Sequence, residues 1–447
     1  MRNRLVKLRA RALADPVAAV PFSAESSPAG QLEYALMAGF SLLVILSGFL
    51  FGSLGDILPG LGRILLSTSV LLSDYIAIGG AEAAFINSGL MMALGLLLAW
   101  KNRVPMRGAL MAAIFLVGGF SLFGKNPLNA LPILLGVSLY ARFKKEALAG
   151  HLTVAYFGLA LGPLVSFLAF GLGWPVYQSL PLALLAGLIV GFLLPPLAAR
   201  FLAFHQGFSL YNVGFTCGMV GLGLMALLRA FGLGSEQKAS SAPAVADGPL
   251  FVWIMALIIL TAALGFILSV NLKKSLRALM KESGQLPADF VARFGIGPVL
   301  LNMALLGMMS VACVFLAGGH LTGPTLGSIL TVMGFAGFGK HPKNVWPLMA
   351  GAFITALLGI WPLSSDGIVI AILLSTNLAP IAGAFGWPAG ILAGFVHVAV
   401  AFNINHLHGY TNLYNNGFAG GFVAALLVAL FKALGLRYAK GPQENGQ

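Results

Sequence analysis

The sequence predicts an all-α, polytopic membrane protein built from two related halves with interrupted helices, and three observations predict it. Of 447 residues, 59% are hydrophobic and 9% charged, with a mean hydropathy of +0.93. A soluble domain carries about 25% charged residues, so this chain lacks the polar groups to cover itself in water. Apolar runs long enough to cross a bilayer recur along its whole length, as in Phe251 to Val270. Finally, GFSLFGKNPLNALPILLG at 119–136 returns as GFAGFGKHPKNVWPLMAG at 334–351, with nine of eighteen positions identical.

The repeat extends well beyond that segment. The offset is 334 − 119 = 215, and without a gap it also aligns Asp74 with Asp289, Gly80 with Gly295 and Asn87 with Asn302. SLYNVGF at 209–215 and NLYNNGF at 412–418 match at an offset of 412 − 209 = 203, and both copies carry Gly-Trp-Pro, at 173–175 and 386–388. Duplication with a short deletion accounts for both offsets.

Taken in order, residues 1–32 form a basic segment with Arg2, Arg4, Lys7, Arg9 and Arg11. No apolar core follows until about residue 35, so the layout is not that of a cleavable signal. A cytoplasmic stretch lying on the membrane surface fits better. The first membrane repeat occupies 33–232, with spans expected near 35–54, 81–100, 107–123, 127–142, 151–171, 178–196 and 207–230. A polar linker, 233–248, leads to the second repeat at 249–435. Its spans are expected near 250–271, 295–317, 323–338, 346–360, 367–383, 388–403 and 412–434, before a basic cytoplasmic tail at 436–447. Several spans are too short for a straight crossing: 323–338 covers roughly 24 Å at 1.5 Å per residue, against a core of about 30 Å. Short, Gly/Pro-interrupted segments at matching places in two halves point to broken or re-entrant helices.

Charge placement predicts the orientation of the halves. The turn after the first span, 55–62, has no Lys or Arg, whereas the next loop has Lys101, Arg103 and Arg107. In the second half Lys273, Lys274, Arg277 and Lys281 follow the first span, and the next loop, 317–324, has none. If positive loops stay inside, the halves have inverted topology, with both termini cytoplasmic and the protein in the cell inner membrane. The net charge of +13 is then a topogenic signal rather than a nucleic-acid surface. Cys217 and Cys313 sit in apolar stretches and read as small core residues, not a disulfide or a metal pair.

The two FGK-x-P-x-N-x-x-P motifs are the first candidate site. Glycine permits an unwound turn and proline removes a backbone donor, leaving carbonyls that need other partners. Irregular backbone at membrane depth is tolerated where it is buried or lines a watery cavity. Lys125, Asn126, Pro127 and Asn129, with Lys340, His341, Pro342 and Asn344, are therefore expected along a substrate pathway. The alternative is an interfacial turn whose lysines reach the headgroups. Tyr211, Asn212 and Gly214 and their copies Tyr414, Asn415 and Gly417 form the second candidate, with helix–helix adhesion as the alternative.

Asp74 and Asp289 stand where a carboxylate caps a following helix, and Glu82 has no acidic counterpart and could hold a proton or cation. Asp366 is expected in a loop. His397, His406 and His408 lack an acidic or cysteine companion, so no metal and no cofactor is expected. No nucleophile elbow or phosphate loop occurs, which gives no support to an enzyme.

From about residue 33 to 435 the chain resembles a bacterial membrane-protein family of unknown function, on SDYIAIGGAEAAFINSGL, FGKNPLNALP, FGKHPKN, NLAPIAGAFGW and NLYNNGFAGGF. Asn126-Pro127-Leu128 followed by SLYNVGFTCGMVGLGL is also similar to urea transporters. That resemblance implies two inverted halves around a pore for a small neutral solute, with Asn126, Pro127, Tyr211, Asn212, Gly214, Pro342, Tyr414, Asn415 and Gly417 near it, and a trimer. The second copy departs from it in having His341 before the proline.

The expected function is channel-like passage of a small polar solute, with the lipid bilayer as the other partner and a homo-oligomer possible. The alternatives are an ion- or proton-coupled transporter of a small anion or metabolite, using Asp74, Glu82 and Asp289, and a non-transport scaffold or lipid-processing protein.

Overall fold

The computed structural model describes residues 30–234 and 246–436. The basic stretch at 1–29, the middle of the linker, and Arg437 and Lys440 of the tail lie outside the described residues. Every element among the described residues is helical, and ten helices or helix pairs are long and apolar enough to cross a membrane. The chain is a multi-pass membrane protein.

In the first half, α1 (Gln31–Phe51) is followed by α2 (Leu54–Leu65), α3 (Tyr75–Gly79), α4 (Ala81–Lys101), α5 (Gly108–Phe120) and α6 (Pro127–Lys144). A broken span, α7 (Leu152–Gly158) and α8 (Gly162–Phe170), precedes α9 (Val176–His205) and α10 (Asn212–Ala230). The second half repeats this order: α11 (Asp247–Ile267), α12 (Leu272–Leu279), α13 (Phe290–Phe294), α14 (Ile296–Leu316), α15 (Gly323–Gly334) and α16 (Pro342–Leu358). It closes with a second broken span, α17 (Asp366–Leu374) and α18 (Ala379–Phe385), then α19 (Trp387–Leu407) and α20 (Asn415–Ala433).

Two loops of the sequence reading are helices instead. The expected turn at 55–62 lies in α2, started by Ser53 and Asp56, which cap one another reciprocally. The side chains of Leu54 and Leu58 stay exposed while Arg63 reaches the carbonyls of Ile78 and Gly79, as suits a helix at a membrane interface. The basic run of the second half forms α12 in the same place, and Asp366 begins α17 rather than lying in a loop. Apolar periodicity over 8 to 12 residues was too short to separate these helices from turns.

The centre is organised by the short helices. At 13 and 12 residues, α5 and α15 are roughly 20 Å and 18 Å long, less than a hydrocarbon core of about 30 Å. Both are almost wholly buried in protein. They lie against each other running in opposite directions. A side chain at Gly108 would strike the Gly337 carbonyl, one at Gly119 the Gly327 carbonyl, and one at Gly323 the Leu122 carbonyl. Glycines at these positions let the two backbones touch. The equivalent helices α10 and α20 also cross in opposite directions, with Gly214 on Gly417 and the Phe215 ring stacked on Phe418 at 5.4 Å.

Cross-half hydrogen bonds come in matching pairs. Asp74 accepts from the Gly323 amide and Asp289 from the Gly108 amide, each at 3.1 Å. Leu210 donates to the Asn377 carbonyl and Leu413 to that of Ala160, at 2.9 and 3.0 Å. Each half thus completes the helix starts and helix breaks of the other.

Candidate functional site

Each FGK-x-P segment is a break between a short helix and its successor. Gly124 (φ +151°) and Gly339 (φ +105°) turn the chain where an L side chain would be strained, and each lies against a leucine of the other half's repeat partner, Leu413 and Leu210. The next helix then starts on proline, Pro127 or Pro342, whose missing N–H is no loss at a first position. Asn126 and Asn129 cap that start reciprocally, at 3.0 and 3.1 Å, and His341 and Asn344 do the same at 3.3 and 2.9 Å. The carbonyls freed by the break are taken by Asn87, which donates to Ser121 and Lys125, and by Asn302, which donates to Ala336 and Lys340. Asn126, Asn129, His341 and Asn344 therefore build the break.

The lysines differ from every other residue of the motif. Lys125 and Lys340 are fully buried, so neither reaches the headgroups and the interfacial-turn alternative is corrected: protein encloses both side chains. Because α5 and α15 run oppositely and side by side, the two breaks sit at opposite ends of the pair, roughly 18–20 Å apart. Lys340 Nζ donates to Tyr211 Oη at 2.7 Å and Thr376 Oγ1 at 2.8 Å, and lies over the rings of Tyr211 and Phe335. Lys125 Nζ lies over the Phe120 ring, 4.9 Å from its centroid, and makes one long contact of 3.4 Å to the Tyr156 carbonyl.

Four rings join the two ends. Phe120 meets Tyr414 at 5.3 Å, Tyr414 meets Tyr211 at 4.9 Å, and Tyr211 meets Phe335 at 4.6 Å between centroids. The order Lys125, Phe120, Tyr414, Tyr211, Phe335, Lys340 is symmetric under the two offsets, since Phe120 pairs with Phe335 and Tyr211 with Tyr414. The rings form a continuous chain of contacts between the lysines.

The remaining expected residues lie around this core. Asn212 Oδ1 accepts from His205 Nε2 at 3.0 Å and its amide nitrogen donates to the Ala198 carbonyl, while Asn415 Oδ1 accepts from His408 Nδ1 at 2.6 Å and its amide nitrogen donates to Asn405. These amides tie α9 to α10 and α19 to α20, the adhesive role. Gly214 and Gly417 form the crossing that sets Tyr211 against Tyr414. Asp74 and Asp289 cap α3 and α13 through Ile76 and Ala292, in addition to the opposite half's short helix. Glu82 is half-buried beside Gly52 and Gly80. His397 and His408 are held by Asn416 and Asn415, and among the described residues no three His, Cys, Asp or Glu side chains come together.

Phe120, Phe335, Tyr156 and Thr376 belong to the site and were missed. The two phenylalanines lie inside the duplicated FGK segments, so their equivalence was readable; Tyr156 and Thr376 come from the broken spans, whose repeat match is too weak to single them out.

The chain belongs to the family described as "Protein of unknown function (DUF1576)", whose profile matches residues 53–230 and 268–433. No curated protein and no solved structure matches it.

Proposed function

We propose that the protein moves a small polar solute across the membrane, without enzymatic chemistry, along the file from Lys125 through the ring stack to Lys340. The observation that carries this reading is the pair of equivalent, fully buried lysines at opposite ends of one central stack. An ammonium inside a membrane domain costs about 3 kcal/mol or more, so an intramembrane lysine marks a functional position by default. The reading takes the two halves as inverted repeats in the inner membrane, termini inside. The opposed directions of α5 and α15, the reversed loop charges and the resemblance to urea transporters all support that arrangement.

In this reading the rings are the closed gate. Passage requires the contact between Tyr211 and Tyr414, set by the Gly214–Gly417 crossing, to open.

Stopped-flow light scattering on proteoliposomes of the full chain tests it, with urea, glycerol, formate and acetate as probes. Solute-dependent re-swelling is expected for at least one of them, with a rate changed severalfold in Phe120→Leu and Phe335→Leu and unchanged in the lipid-facing Leu139→Ala. A folded preparation that passes none of the four, or passes one at the same rate in every variant, would remove this reading.

A further inference from the structure

The two lysines stand at equivalent positions, yet their surroundings are not equivalent. Lys340 finds two hydroxyl acceptors, on Tyr211 and Thr376. The hydrogen bonds from Leu210 to Asn377 and from Leu413 to Ala160 align the broken spans at an offset of 377 − 160 = 217. The same offset pairs Pro163 with Pro380 and Leu159 with Thr376. The first half therefore carries a leucine, with no acceptor to offer, at the position equivalent to Thr376. Its other expected acceptor, Tyr414, keeps a fully buried hydroxyl that meets no hydrogen-bond partner among the described residues.

The surplus at the Lys125 end consists of donors. An ammonium offers three N–H groups, and one long contact to Tyr156 uses at most one. Tyr414 adds an unused O–H. Asn412, whose side-chain oxygen accepts from the Tyr414 amide, keeps a buried NH2 without a partner. These residues share neighbours: Lys125 Nζ and the Tyr414 ring both contact the Phe120 ring, and Gly124, next to Lys125, packs on Leu413, which stands between Asn412 and Tyr414. No carboxylate is bonded to Lys125, and the ion pairs among the described residues all lie elsewhere. Buried donors left unpaired are costly, and a buried cation more so.

We infer that the Lys125 end is a binding site for a small monovalent anion, held by Lys125 Nζ and Tyr414 Oη, with Asn412 beside them. Protonated when the anion is bound, Lys125 balances one negative charge, and the anion supplies the acceptors that Tyr211 and Thr376 supply to Lys340. The Lys340 end, with its acceptors built in, is closed to the same ligand in this conformation. This names the solute class for the transport reading and rests on it only for what the site is used for.

Thermal unfolding of the full chain in detergent tests it, with formate, acetate, nitrate and chloride compared against gluconate at equal ionic strength. At least one small anion should raise the melting temperature of the wild type. Tyr414→Phe removes a hydroxyl that has no partner, so it should fold normally and need roughly tenfold more anion for the same shift. Leu159→Thr, which offers Lys125 an internal acceptor, should weaken binding in the same direction, and Lys125→Met should abolish it. No stabilisation of the wild type by any of the four anions, or equal stabilisation of wild type and Tyr414→Phe, would overturn the inference. Flux assays on the same proteins separate the two claims. An anion that binds here but never crosses leaves the site standing and removes transport; a neutral solute that crosses while no anion binds does the reverse.

Discussion

The Asp74 carboxylate of the first half lies 3.1 Å from the Gly323 amide nitrogen of the second and accepts its hydrogen bond. The first amides of a helix have no partner within it, and a short helix packed between other helices has little water to supply one. Asp289 answers this for Gly108 in the other direction. The two halves are thus tied at both ends of the α5–α15 pair.

Replacing Asp74 or Asp289 by alanine should each cost about 1 kcal/mol, the usual loss of a helix cap, and asparagine should restore most of it. Guanidinium or thermal unfolding in detergent measures both. The double alanine variant should show close to the sum, because the sites lie at opposite ends of α5 and share no partner.

Asp74 also gives the stability a pH dependence. It stands in the loop before α3, where burial pushes its carboxyl from 3.8 up to about 6, against the pull of the Ile76 and Gly323 amides, with nearby Asp366 adding to the rise. A raised carboxyl favours the protonated form in the folded state, so its contribution is fullest below about pH 4 and is lost as pH rises through about 6. The melting temperature should be higher at pH 5 than at pH 7, and the difference should shrink in Asp74→Asn.

The two central tyrosines should respond differently to loss of their hydroxyls. Tyr211→Phe takes an acceptor from a buried ammonium and should destabilise by about 1–3 kcal/mol. Tyr414→Phe removes an unpartnered hydroxyl and should be neutral or slightly stabilising. Equal effects would mean that the Lys340 contact contributes nothing to stability.

At Gly119 and Gly327 even one methyl group meets backbone. A Cβ at Gly119 would stand 2.3 Å from the Gly327 carbonyl, and one at Gly327 would stand 2.2 Å from that of Gly119. Backbone cannot rotate away, so each alanine variant should lose about 1–3 kcal/mol through overpacking. Gly223→Ala, where the added methyl meets open space, is the control and should lose nothing measurable.

Much of the fold was legible because a bilayer imposes length and apolarity on every span. The expected 81–100 and 127–142 became α4 and α6 within two residues at each end, and 323–338 was rightly short. The span expected at 178–196 runs instead to His205, because its polar-looking end packs against α10 and bonds Asn212. The repeat also marked Lys125, Tyr211, Lys340 and Tyr414, which lie along one chain of ring contacts. It could not separate them from Asn126, Asn129, His341 and Asn344, which share the motif but serve as caps. A capping amide and a ligand-binding amide have the same formula and differ only in where the backbone turns them.

The sequence by itself determined membrane residence, the duplication and the positions of the breaks, since hydropathy, identity at a fixed offset and Gly/Pro punctuation are local properties of the chain. Tertiary structure alone decided that the lysines are enclosed, that Phe120 and Phe335 carry a ring stack between them, and that Lys125 lacks the acceptors Lys340 has. Those facts depend on side chains from opposite halves meeting across the Gly119–Gly327 and Gly214–Gly417 contacts. A hydrogen bond is satisfied or left open by an ångström of separation, which no pattern along one strand of sequence encodes.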